Sequence, residues 1–193
     1  MILESLVTTS DLEGHVNLAP LGCLVDPQCR ELMLRPFRPS RTHDNLHATR
    51  RATIHVTDDV LLFAHTVCNP NAAAEVFEVR DGGWYILPSA CHFFRVEVTE
   101  WIDDPLRATA ECRLIEQEIR RPFFGFNRAK HAVIEAAILA TRTHLLDPPY
   151  IHQQLAWLEP WIEKTGGARE IEAWDLVCRT IGSRLASRES PAG

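Results

Sequence analysis

The chain changes character once, at Arg120-Arg121-Pro122, and this break constrains the fold more than any other feature of the text. Ahead of it lie short β-like segments punctuated by glycine, proline and aspartate. Behind it, GFNRAKHAVIEAAILATRTHLL runs from Gly125 to Leu146 without a proline and with many alanines, a composition that favours helix. Segregated strands and helices of this kind specify an α+β chain. The break predicts two parts, residues 1–122 and 123–193.

In the first part, Ile2–Thr8 and His15–Leu21 flank a DLEG turn and predict a hairpin. Glu31–Phe37 reads as a third strand closed by Pro36 and Pro39, and Ala52–Thr57 as a fourth, followed by a short helix from Asp58 to about Thr66. RDGGWYILPSACHFFRVEVTEW holds a glycine turn and a long strand with Phe94, Val96 and Val98 on one face, and Ala108–Ile119 supplies another strand. Mainly antiparallel strands with short helices between them point to a barrel or curled sheet. In the second part, Pro148 and Pro149 are placed to start a second helix. Gly166-Gly167 breaks the chain before a third helix, about Arg169–Leu185, and the tail SRESPAG is expected to fray.

With 193 residues, 46% hydrophobic and 24% charged, the chain has material for a proper core. Its net charge of −6 argues against nucleic acid or an anionic membrane as partner, since both need a broad basic surface. No apolar run reaches membrane-spanning length, and the opening MILESLVTTSDLEG, with its early glutamate, reads as strand and turn rather than as a signal peptide. The expectation is a cytoplasmic chain. Six cysteines without a CxxC pair read as small core residues and not as a disulfide framework.

Against this acidic background, LRPFRPSRTHDN (Leu34 to Asn45) concentrates three arginines at a strand-to-helix junction. With Ser40 as N-cap, the first turn of a short helix offers unpaired N–H groups at the positive end of the helix dipole. A phosphate there would also meet the Ser40 and Thr42 hydroxyls and a guanidinium from Arg35, Arg38 or Arg41. An ordinary cap with surface arginines is the competing reading. VNLAPLG (Val16–Gly22) adds a second clue, because Pro20 removes a ladder donor and is expected to turn the backbone out of the sheet, where small neighbours let a flat ligand approach. No GxGxxG and no Walker A sequence is present.

Other constellations speak less. His43 and His47 are four apart, but no third ligand is nominated and no metal is expected; solvent-facing histidines beside the cationic corner are the simpler account. Asp58 and Asp59 suit a helix start, with a paired acid and base as the alternative. No G-x-S-x-G elbow or reactive-cysteine motif marks a nucleophile, so the catalytic residues stay unassigned. Asn127, His131, Glu135 and Arg142 form a polar stripe on an otherwise apolar helix, either solvent-facing or lining a pocket or subunit contact.

Two of these segments, Asn17-Leu18-Ala19-Pro20 and Ser40-Arg41-Thr42-His43-Asp44-Asn45, resemble in kind and order the motifs of the flavin-reductase-like FMN-binding split β-barrel. The whole text is closer still to the DUF447 family of archaeal and bacterial proteins. MILESLVTT, VNLAPLG, LRPFRPSRTHDNL, HVTDDVLLFA, FFGFNRAKHAVIEAAILATR and EKTGG match its recurring segments nearly letter for letter and span residues 1–167. The resemblance implies an FMN-binding split β-barrel with a C-terminal helical subdomain, assembled as a homodimer with flavin near the subunit interface. It implies that Ser40, Arg41 and Thr42 hold the FMN phosphate with help from Arg35. Asn17, Leu18, Ala19, Pro20, Leu21 and Gly22 would present backbone to the ring and ribityl chain, and Asn45 would brace the loop. Cys23 after the glycine, and Arg38 where lysine is common, depart from the pattern and leave the contacts around the ring less defined. The polar start of the long helix makes Asn127, Lys130 and His131 candidates for the flavin edge or a substrate. The implied activity is that of an FMN-dependent oxidoreductase acting on a small molecule, with a reduced pterin as one candidate; a non-catalytic FMN carrier or sensor is the alternative.

Overall fold

The computed structural model describes residues 1–69 and 77–189, which fall into two compact units: residues 1–57 with 77–123, and residues 58–69 with 124–189. The first unit is a closed antiparallel barrel. Its strands are β1 (Ile2–Ser10), β2 (Val16–Val25), β3 (Leu32–Leu34), β4 (Arg51–Val56), β7 (His92–Ile102) and β8 (Thr109–Ile119), in the order β1-β2-β3-β8-β7-β4, with β4 pairing back to β1. A two-stranded ribbon of β5 (Glu78–Arg80) and β6 (Trp84–Ile86) turns on Gly82 and Gly83, whose positive φ angles of 88° and 79° suit glycine. Helix α1 (Arg41–Thr49) bridges β3 and β4.

The expected alternation is what fills the barrel. Val7, Leu34, Ile54, Phe94 and Val96 are fully or almost fully buried together, and Leu46 of α1 joins them. Truncating Phe94 to alanine in such a core costs roughly 3–5 kcal/mol. Val98 also turns inward, so the one-face reading of β7 holds. All six cysteines are free thiols.

Two strands differ from their sequence reading. The third covers Leu32–Leu34 only; past it the chain keeps a single bridge, Phe37 to Arg107, because Pro36 and Pro39 cannot donate to a ladder. The second does not leave the sheet at Pro20 but continues to Val25. Its pairing explains this: β2 pairs with β1 along its whole length, Leu6 opposite Pro20, whereas β3 reaches it only at Cys23 to Val25. Along Val16–Gly22 the second side of β2 has no strand partner among the described residues, and Pro20 sits where no ladder N–H is needed. The barrel is therefore split along the NLAP segment.

The second unit is helical: α2 (Val60–Cys68), α3 (Arg128–Thr141), α4 (Pro148–Thr165) and α5 (Ala168–Glu189). Helix α2 joins the C-terminal helices although it precedes residue 122 in the chain. Its text, VLLFAHTVC, is apolar nearly all round and buries seven of nine residues, which demands neighbours on every side. The alanine face of α3, with Ala129, Ala132, Ala136, Ala137 and Ala140 buried, gives α2 and α5 close approach. Helix α3 begins at Arg128 and not at Gly125, because Gly125 adopts φ +109° and Asn127 caps the first turn. Pro148 opens α4 as expected, whereas α5 runs on to Glu189. The last residues of the tail, 190–193, lie outside the described residues. No helix of the described residues is long and apolar enough to cross a membrane.

Candidate functional site

The cationic corner and the NLAP segment meet in the barrel, through two residues 25 apart in sequence. Asn17 Nδ2 donates to Thr42 Oγ1 at 3.0 Å. The same amide reaches Thr9 Oγ1 at 3.5 Å, and Asn45 Nδ2 donates to that hydroxyl at 3.1 Å. Thr9 and Asn45 are buried, so this network ties β1, β2 and the first turns of α1 into one piece. Asn45 braces the corner, as the resemblance implied. Thr9 had no sequence signal of its own: it is one threonine in a strand of threonines and serines.

The helix start is only partly satisfied. Ser40 is the N-cap, in extended backbone, and its hydroxyl accepts from His43 N at 3.1 Å while donating to Phe37 O at 2.6 Å. Its proton is thus committed, and Ser40 shapes the corner as a cap. Thr42 differs: its Oγ1 accepts from Asn17, which leaves its own proton uncommitted among the described residues, and its backbone N–H has no acceptor there either. Both donors sit at the positive end of a nine-residue helix. Arg41 is exposed on the same turn. Arg35, six residues earlier, is also exposed; its carbonyl accepts from Arg107 Nε, and the Leu106 and Arg107 amides, with a smaller contribution from the Arg35 charge, hold the Asp104 carboxyl below the usual range.

His43 does not face solvent as expected: it is only 3% exposed. Its Nδ1 pairs with Asp44 Oδ1 at 2.9 Å, and its Nε2 is buried with no hydrogen-bond partner among the described residues. The ring lies edge-on to Trp101 at 5.3 Å and parallel to His47, 6.3 Å between centroids. The register shift in β7 after Val98 breaks the alternation and turns Trp101 toward the barrel core, a position that the composition of the strand did not advertise. Among the described residues, side chains of metal-ligating type cluster at Asp11, Glu13 and His15, in the exposed β1–β2 turn. Cys23 lies in the barrel core, where burial pushes its thiol up to about 12, so no thiolate forms there near neutral pH.

A deeper histidine also shapes the barrel. His55 on β4 is completely buried, its Nδ1 directed at Leu6 O (3.0 Å) and its Nε2 accepting from Leu87 N (3.0 Å). An Nε2 that accepts is unprotonated, so the ring is neutral, and burial lowers its pKa to about 4.

In the helical unit the three other candidates part company. Asn127 caps α3, accepting from Lys130 N and donating to Thr165 O. Lys130 donates through Nζ to Asp58 O, lies 3.5 Å from Glu170 Oε1 and covers the Phe124 ring. His131 points elsewhere, stacked on exposed Phe126 and lining a groove between α3 and α4. Asp58 and Asp59 have structural partners: Asp58 Oδ2 accepts from Phe124 N, and Asp59 caps α2 while receiving Arg169 through both carboxylate oxygens.

Residues 3–121 match the family described as "Protein of unknown function (DUF447) N-terminal domain", and residues 127–179 match its companion C-terminal domain. The chain belongs to the DUF447 family. An FMN-bound DUF447 protein from Methanosarcina mazei superposes with a TM-score of 0.80 over 93% of this chain and 94% of its own, at 23% identity. The barrel also resembles an FMN-binding protein from Thermus thermophilus, seen with p-hydroxybenzaldehyde (TM-score 0.51, 15% identity, 62% of this chain and 73% of that one). The flavin reductase of the styrene monooxygenase of Pseudomonas putida S12 is similar to the same extent (TM-score 0.51, 14% identity, 61% and 80%). This DUF447 chain therefore has the fold of the FMN-binding, flavin-reductase-like proteins: α+β, a split antiparallel barrel with a C-terminal helical subdomain.

Proposed function

We propose that the chain is an FMN-binding flavoprotein, with the phosphate at the N-terminus of α1 and the flavin along the open edge of β2. The observation that carries this is the Asn17–Thr42 hydrogen bond, which joins the two motifs into one corner. The corner suits a phosphate monoester: it retains donors in the Thr42 N–H and hydroxyl, a capped helix dipole and nearby guanidinium groups. Arg41 and Thr42 hold the anion, Arg35 adds long-range attraction, and Ser40 fixes the turn from which Thr42 donates. The unpaired side of Asn17–Gly22 offers main-chain groups to a flat ring. Bound FMN would supply hydride and electron transfer, and the protein contributes position and electrostatics. On this reading the activity is oxidoreduction of a small molecule, of flavin-reductase type, with a reduced pterin among the substrates to try. A homodimer is part of the same proposal. It is supported by exposed apolar side chains on the barrel such as Ile119 (76% exposed) and Ile115 (41%).

The test is the visible spectrum and fluorescence of the purified protein during titration with FMN. Saturable binding with quenched flavin emission is expected, FAD binding less well because it lacks a terminal phosphate monoester. No binding at micromolar FMN removes the proposal. Turnover of NAD(P)H or a reduced pterin by the FMN-loaded protein separates an oxidoreductase from a carrier, and sedimentation at twice the chain mass checks the dimer.

A further inference from the structure

Helices α3 and α4 pack as a hairpin, the start of α3 against the end of α4, since Asn127 Nδ2 and Ala129 N both bond to Thr165. Between their outer faces lies a groove of 780 Å³. That is in the range of roughly 300–1,000 Å³ typical of small-molecule sites. Its floor from α4 is aromatic: Tyr150, Trp157 and Trp161, with Trp157 67% exposed. Trp157 and Trp161 are four apart and so stand on one face of the helix. Its other wall carries Arg128, His131 and Glu135 of α3 and the C-cap residue Arg142.

The charged groups of this wall are not used up by the fold. Arg169, Arg184 and Arg188 all bond to partners within it, and Lys130 is tied to Asp58. The side chains of Arg128, Arg142 and Glu135 have neither a hydrogen bond nor an ion pair among the described residues, and all three line one groove. Arg128 and His131, one turn apart, put cationic and imidazole donors at the end of the groove beside Trp161. Local charge there is positive, on a chain whose net charge is −6.

We propose that this groove binds a planar aromatic acid, its ring against Trp157 and Trp161 and its acidic group on Arg128 and His131. The charge pattern disfavours a second copy seated antiparallel about Glu135. Such a pairing sets Arg128 of one chain against Arg142 of the other, seven residues to either side of the axis, and glutamate against glutamate. A small acid meets no such repulsion and uses both the stacking faces and the uncommitted guanidinium. The site belongs to the helical unit and is independent of the FMN reading.

Isothermal titration of the full chain with 2-naphthoate, and with neutral 2-naphthamide, tests this. Naphthoate is expected to bind once per chain, and the amide about tenfold or more weaker, the discrimination a charge-assisted contact confers. Arg128→Ala with His131→Ala is expected to remove that preference, and Trp157→Ala to weaken both compounds. Ser40→Ala with Arg41→Ala is expected to bind naphthoate like the wild type, which separates this groove from the corner in the barrel. Arg41, Arg128, His131 and Trp157 are exposed and Ser40 is half-buried, and circular dichroism checks that each variant keeps the fold. Equal affinity for acid and amide, no saturable heat with naphthoate, or unchanged binding in the Arg128/His131 variant overturns the proposal. So does a shift in sedimentation caused by the groove variants without naphthoate binding, which makes the groove a protein interface.

Discussion

Two helix starts in this chain look alike in sequence and differ in structure. Both have a polar N-cap followed by basic residues: Ser40 before Arg41, and Asn127 before Arg128 and Lys130. At α3 the protein satisfies its own donors. Asn127 takes Lys130 N, Thr165 takes Ala129 N, and Lys130 Nζ reaches Asp58 O. At α1 the cap takes His43 N, while the Thr42 N–H finds no acceptor among the described residues and His43 Nε2 is buried without one. A terminus whose main-chain donors are filled has none to offer a ligand, whereas the spare main-chain donor at α1 is what supports the anion site proposed there. The letters of both segments support a functional reading, and only the hydrogen-bond accounting separates them.

The comparison breaks first at the anion. Ser40→Ala with Arg41→Ala is expected to weaken FMN by about 2–4 kcal/mol, from lost charge-assisted bonds and a loosened turn, as read by flavin fluorescence titration. An unchanged FMN isotherm would place the phosphate elsewhere. Next in size is acid. His55 is neutral when folded, with a pKa of about 4, against an ordinary 6.5 when unfolded. Between those values the unfolded chain binds the extra proton, so stability falls as pH drops from about 6.5 to about 4, by roughly 3 kcal/mol in total. Denaturant melts across that window measure it, and His55→Gln should flatten the slope. Asn127→Ala should cost about 1–2 kcal/mol of stability and leave FMN affinity untouched, the signature of a structural cap. Smallest is Thr42→Val, which removes the acceptor of Asn17 and costs about 1 kcal/mol of stability, with a measurable loss of FMN affinity.

Much of the barrel was legible because alternation leaves little choice. Phe94, Val96 and Val98 can share only one face of a strand, and that face is the core. The short third strand was not legible, since Pro36 interrupts text that otherwise has strand character. The placement of α2 was hidden for another reason. A helix apolar on all sides announces burial but not its neighbours, and chain order puts it before the break while packing puts it with α3 and α5. At the corner, the capping role of Ser40 was written in the sequence, and so was the partnership of two motifs. The burial of His43 was not, because it depends on Trp101, more than fifty residues away. For Asn127 and Lys130 the sequence carried their polarity but not the groups, Thr165 and Asp58, that absorb it.

Pro20 has a consequence at the level of many molecules. An open strand edge recruits other strands, and a chain that keeps one for a small ligand risks joining its copies edge to edge. The proline in the middle of that edge withholds the N–H that a continuous intermolecular ladder requires. Main-chain carbonyls stay accessible along this edge while pairing with a second β2 is disfavoured, so one residue works against edge-to-edge association without closing the edge.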